Sequence, residues 1–195
     1  MVQLCNMLLR TILVCLLGAF CLLSSCLKDR LYSPKPPENT VPEPAPVDSG
    51  KIFINEIMAS SGGGFPDPAD GASDDWFEIY NSGSSPIDLS GWAFSDDASD
   101  LNKSVLPDNN TELTVPAKGY LVFWADDTPD QGARHLSFKL SSTNGDKLFL
   151  TKSNGTIADS LSFGPQTQEV SYGRMPDGGN NWQTFSQATP GRKNQ

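Results

Sequence analysis

Residues 75–81 read Asp-Trp-Phe-Glu-Ile-Tyr-Asn and run straight into Ser82-Gly83. Alternation over the seven residues places Trp76, Glu78 and Tyr80 on one face of a strand and Phe77 and Ile79 on the other. The Asn-Ser-Gly that follows is turn chemistry. The same texture recurs to either side. Short runs rich in Val, Ile, Phe, Tyr and Trp occupy 51–59, 85–90, 91–96, 103–107, 111–115, 119–126, 136–140, 146–152, 156–164, 169–174 and 181–185. Asn144-Gly145-Asp146, Asn154-Gly155 and Asp177-Gly178-Gly179 punctuate them. The segments 147–152 and 156–159, joined across Ser153-Asn154-Gly155, predict a hairpin. No long stretch has a helical period. Many short strands with closely spaced turns predict an all-β domain, a β-sandwich, over residues 51–195.

Upstream the composition changes. Of 195 residues, all four cysteines (Cys5, Cys15, Cys21 and Cys26) fall in the first 26, so the sandwich has no disulfide and must stand on burial alone. Arg10 precedes a nearly uncharged apolar run, Thr11 to Leu23, which is shorter than the roughly 20 residues a membrane span needs. With Leu23-Ser24-Ser25-Cys26 behind it, the run resembles the signal peptide and lipobox of bacterial lipoproteins. An aliphatic residue and two small ones lead to a thiol that accepts the lipid. The expectation is a signal at 1–25, lipidation of Cys26 and attachment to the membrane through that lipid. Leu27 at the next position favours an outer-membrane destination, with the domain facing the periplasm or the surface. Residues 26–50 hold Pro34, Pro36, Pro37, Pro42, Pro44 and Pro46. Such spacing excludes helix and sheet and reads as a semi-rigid tether.

Residues 51–195 contain several motifs in a characteristic order: Ile54-Asn55-Glu56-Ile57, then 75–81, then Ile87-Asp88-Leu89-Ser90-Gly91-Trp92. Gly119-Tyr120-Leu121-Val122, His135 to Leu140, Gly145 to Leu150, Asp159 to Gly164, Ser171-Tyr172-Gly173-Arg174, Trp182 and Thr189-Pro190-Gly191 follow. Together they resemble the lamin tail domain family. The resemblance implies an immunoglobulin-like β-sandwich of the kind found in bacteria as secreted or surface modules, alone or appended to hydrolases. Nucleic-acid binding is attributed to nuclear members of the family. Here the domain carries ten basic and nineteen acidic side chains, with no basic cluster beyond Arg192-Lys193. That balance argues against a nucleic-acid partner.

Catalytic constellations are sparse. His135 is the single histidine, no G-x-S-x-G elbow or Walker loop occurs, and the domain lacks a thiol nucleophile. His135, ahead of an alternating run, reads as a surface or packing residue. Glu56 and Glu78 could form a carboxylate pair of the glycosidase type, but hydrogen bonding at a strand edge or loop accounts for them better. The acids of 65–76, Phe-Pro-Asp-Pro-Ala-Asp-Gly-Ala-Ser-Asp-Asp-Trp, are a candidate calcium site. Asp67, Asp70, Asp74 and Asp75 would supply the oxygens around a glycine turn, though solvated loop acids and Asx turns fit the same spacing. Further acids follow at Asp96, Asp97, Asp100, Asp126, Asp127 and Asp130. Trp76, Trp92, Trp124 and Trp182 could build a glycan-stacking platform, but each lies in a strand run, which favours burial. The functional expectation is a non-catalytic, lipid-anchored envelope module that binds an extracellular protein or glycan or acts as a scaffold. Apart from calcium, no cofactor is expected. The alternative is an enzyme or enzyme accessory acting on polysaccharide or nucleic acid.

Overall fold

The computed structural model describes residues 51–195. The signal segment, Cys26 and the proline tether therefore lie outside the described residues. Asp75–Asn81 forms a strand (β2) near the middle of a five-stranded antiparallel sheet. Its neighbours are β1 (Ile52–Met58) on one side and β7 (Tyr120–Ala125) on the other. Beyond β1 come β10 (Ser171–Arg174) and, at the edge, β11 (Trp182–Phe185). A second sheet of four strands runs in the order β5 (Ser104–Val105), β4 (Ala93–Ser95), β8 (Asp146–Thr151), β9 (Ile157–Phe163). A short pair, β3 (Ile87–Asp88) and β6 (Thr114–Val115), completes the set. Among the described residues no helix is long and apolar enough to cross a membrane.

The core lies between the two larger sheets. Phe77 and Ile79 point into it from β2, as the alternation requires, beside Ile54 and Ile57 of β1 and Phe123 of β7. Phe94, Leu148, Leu150, Leu161 and Phe163 meet them from the opposite sheet. Phe94 sits edge-on to Phe77 at 4.9 Å and tilted against Phe123 at 4.7 Å, so one ring joins both layers.

A register shift in β1 decides which face carries charge. Ile54 pairs with Ile79, and the next pair is Glu56 with Glu78, so Asn55 is the extra residue of a bulge. Simple alternation from Ile52 and Ile54 would drive Glu56 into the core. The bulge instead returns Ile57 to the core and turns Glu56 and Met58 outward beside Glu78 and Trp76.

Residues 136–140, expected as a strand, form none. Leu136, Phe138 and Leu140 are buried in alternation, but their backbone meets β7 only through isolated bridges, Trp124 to His135 and Asp126 to Lys139. The segment crosses the end of a strand, so the period-2 burial pattern appears without a ladder. Residues 111–113 form a 3-10 turn capped by Asn110, whose side chain accepts from Glu112 N–H, and only Thr114–Val115 is extended. The hairpin of β8 and β9 forms as predicted, with Leu148 opposite Leu161. Gly145 opens β8 at φ +75°, where a Cβ would collide with the Phe163 carbonyl.

Asn81 shows how a turn residue becomes structural. It is fully buried; its amide donates to the carbonyls of Ser85 and Val115, and its side-chain oxygen accepts from Gly83 N–H. Asn81→Ala leaves three backbone groups without these partners. Urea unfolding should show a loss of about 2 kcal/mol. A loss below about 0.5 kcal/mol would mean that water replaces the amide.

Candidate functional site

The outer face of the five-stranded sheet carries the unusual chemistry. Met58, Trp76, Val122 and Trp124 form a second apolar cluster there, with Phe65 and Ala188 packed against it. Phe65 comes from the loop between β1 and β2. Its ring stacks on Trp124 at 5.2 Å and meets Trp76 edge-on at 5.6 Å. Trp76 and Trp124 are therefore buried, as the sequence suggests, but under a loop and a chain terminus rather than between the sheets. Trp92 and Trp182 are partly buried at the margins of the main core.

Beside this cluster lies a recess of about 490 Å³. Met58, Phe65 and Trp76 are among its walls, with Ser61, Glu169 and Arg192 as polar groups. Trp76 Nε1 and Ser61 Oγ are both buried without a hydrogen-bond partner. Unpaired buried donors are uncommon in folded proteins, and two of them line one concavity.

The loop that supplies Phe65 continues into the predicted calcium residues. The structure gathers three of the four: Asp67, Asp70 and Asp74 each offer a carboxylate oxygen within 4.8 Å of the others. Asp75 turns elsewhere, and its carboxylate accepts from Leu140 N–H at 3.3 Å. Burial pushes Asp75 up to about 6, against the lowering effect of that bond and of Lys139. Burial, then the charges of Asp126, Asp70 and Asp67, raises Asp74. Asp70 is exposed and held below the usual range by the Ala72 N–H and then by Gln131.

Asp67 differs from its loop neighbours in being buried. Its backbone closes the turn, with N–H donated to the Ala72 carbonyl and C=O accepting from Gly71, while Oδ1 accepts from Ala69 N–H. Its Oδ2 points towards two residues that the sequence pattern did not associate with it. His135 Nδ1 lies 3.3 Å away, and the same nitrogen is 2.7 Å from Asp126 Oδ2. Asp126 follows β7, and the bridge between Trp124 and His135 draws the imidazole alongside. No spacing in the sequence links positions 67, 126 and 135.

The remaining acids of interest are Glu56 and Glu78, direct cross-strand partners on this face. Both are fully buried, and their oxygens accept from the chain terminus: Thr189 N–H and hydroxyl for Glu56, Gly191 N–H for Glu78. The pair holds the segment 189–191 in place.

Comparison with known proteins agrees with this architecture. No curated protein matches the chain. The family model for the Lamin Tail Domain matches residues 45–165, which takes in the strands from β1 to β9. That match covers more than half of the sequence, and the antiparallel all-β sandwich is the immunoglobulin-like fold of the family; the chain belongs to the lamin tail domain family.

Proposed function

We propose that this chain is a non-catalytic, lipid-anchored module of the cell envelope that holds an extracellular glycan or protein segment on the outer face of its five-stranded sheet. Membership of the lamin tail domain family supports an interaction or scaffold role. The recess beside Phe65 and Trp76 carries the reading. It combines aromatic walls with unpaired Ser61 Oγ and Trp76 Nε1, the mix of apolar surface and a few directed polar groups that a binding site uses. The lipobox at Cys26 and the proline tether support anchoring at a distance from the membrane.

Two measurements test the two parts. Cells given an alkyne-labelled fatty acid should label the wild-type chain and not Cys26→Ser; equal labelling of both would remove the anchor. The full-length chain in detergent should bind a subset of glycans or peptides on an array. Phe65→Ala and Arg192→Ala, which remove an aromatic and a charged part of the lining, should each weaken that binding at least tenfold. Binding that survives both substitutions would place the site elsewhere.

A further inference from the structure

We infer that Asp67, Asp126 and His135 form a structural binding site for a divalent transition-metal cation of the Zn²⁺ class. The argument starts from charge. Two buried carboxylates share one imidazole nitrogen, with side-chain exposures of 0% for Asp67, 2% for Asp126 and 8% for His135. One ring nitrogen holds at most one proton. The shorter contact, 2.7 Å, is to Asp126 Oδ2, and Asp67 Oδ2 makes no hydrogen bond, only the 3.3 Å approach to the same nitrogen. Among the described residues no Lys or Arg makes an ion pair with Asp67 or Asp126. Even a charged imidazolium leaves a buried carboxylate uncompensated, which is strongly unfavourable. A divalent cation between the three groups removes that deficit.

Geometry fits the same conclusion. One potential ligand atom from each of the three residues lies within 4.8 Å of the other two. Ligands about 2.0–2.1 Å from a tetrahedral Zn²⁺ stand about 3.3 Å apart, which is the spacing from His135 Nδ1 to Asp67 Oδ2. The 2.7 Å between His135 Nδ1 and Asp126 Oδ2 has to open by about 0.6 Å as the ion takes the place of the proton between them. The other oxygen of each carboxylate is already fixed by backbone, Asp67 Oδ1 by Ala69 N–H and Asp126 Oδ1 by Thr128 N–H. Such outer bonds leave each Oδ2 aimed at the centre. The donor set also selects the ion. Calcium takes oxygen ligands, whereas an imidazole nitrogen beside two carboxylates suits zinc. The site shares only Asp67 with the calcium set expected from Asp67, Asp70, Asp74 and Asp75. Its ligands come from three separate segments, so the metal ties the loop carrying Phe65 to the end of β7 and to the segment after it. Binding requires a neutral imidazole ligating through Nδ1, and any proton on that nitrogen is released to solvent.

The test uses the full-length, tag-free chain, stripped with chelator and titrated with Zn²⁺, Mn²⁺ or Ca²⁺ by calorimetry and thermal melting. One Zn²⁺ per chain should bind in the micromolar range or tighter and raise Tm by several degrees, with Ca²⁺ ineffective at a hundredfold higher concentration. His135→Gln retains a hydrogen-bonding side chain beside Asp126, and should still fold yet bind Zn²⁺ at least a hundredfold more weakly. Because His135 is the one histidine of the chain, loss of the Co²⁺ absorption spectrum in that variant identifies the ligand directly. Asp70→Asn together with Asp74→Asn should keep Zn²⁺ binding within about tenfold. Absence of Zn²⁺ binding overturns the proposal. So does Ca²⁺ binding that survives His135→Gln and is lost in the Asp70, Asp74 double variant.

Discussion

Replacing Glu56 with alanine should remove about 4 kcal/mol of stability, a large share of the roughly 5–15 kcal/mol that a folded domain possesses. Glu56 is fully buried on β1. Its carboxylate accepts from Ser171 Oγ at 2.5 Å, from Thr189 N–H at 3.0 Å, and from the Thr189 hydroxyl at 2.8 Å. Each buried donor left without an acceptor costs roughly 1–3 kcal/mol. Water cannot readily replace the carboxylate, because Thr189 and Asn194 close the site from outside, both at most 2% exposed. Asn194 extends the attachment: its amide donates to the Arg174 carbonyl at 2.8 Å, and its N–H to Asp177 at 3.0 Å. Removal of residues 189–195 should therefore cost about as much as Glu56→Ala. The two changes together should cost far less than their sum, since they break the same contacts. Urea denaturation of the four proteins closes the cycle. Additive losses would show that Glu56 acts through something other than the chain terminus.

The family match ends at residue 165, yet the sheet does not. β10 pairs with β1 and β11 pairs with β10, so the last thirty residues supply one flank of the five-stranded sheet. Arg174 fastens that flank to the opposite sheet. It donates to the Ile54 carbonyl at 2.8 Å and to Asp159 of β9 at 3.0 Å, and its guanidinium lies 4.6 Å from the Trp182 ring. Asp159 in turn accepts from Ile54 N–H at 2.9 Å. One arginine and one aspartate thus join β1, β9, β10 and β11, and a chain ending at 165 would leave β1 as an unpaired edge.

Alternation made the central strands legible. Asp75–Asn81 appears with the boundaries and facing that its pattern dictates, because both neighbours are long strands and either slip would bury Glu78 in the core. The hairpin of β8 and β9 was equally legible from its Asn-Gly turn. Residues 136–140 were not, since alternating burial arises wherever an extended segment lies on a core, with or without a ladder. Asn55 and Glu56 could be recognised as polar residues in a strand, but the bulge that sends Glu56 outward is a feature of pairing, and its partner Thr189 lies 133 residues away. The acidic loop was visible as a cluster. The assembly of Asp67 with Asp126 and His135 depends on a bridge between Trp124 and His135 that no local pattern encodes.

The stability of the domain should fall as pH rises from about 5 to about 8, the reverse of ordinary carboxylate behaviour. Burial on β2 pushes Glu78 from its ordinary 4.5 up to about 8, with Glu56 and Asp177 adding to the rise against the lowering hydrogen bonds of Asn55 and Gly191. Those two acids face it from β1 and from the loop after β10. The sign follows from proton counts. Between the two values the folded protein keeps the proton and the unfolded chain has released it, so each step up in pH favours unfolding. The contribution is whole below about pH 4.5, declines by up to about 1.4 kcal/mol per pH unit, and is gone above about pH 8. Asp75, pushed up to about 6, acts in the same direction over a lower window. The exposed acids Asp70, Asp88 and Asp97 are shifted down and act oppositely, but only in more acidic solution. Glu78→Gln isolates the effect. Its amide cannot accept from both Asn55 and Gly191, so it lowers stability at pH 5, where the neutral acid accepts from both. Its readout is the slope: between pH 6 and 8 the variant should be nearly flat in urea midpoint while the wild type declines. Parallel slopes would mean that Glu78 ionises normally and that its buried charge is balanced by the hydrogen bonds it accepts.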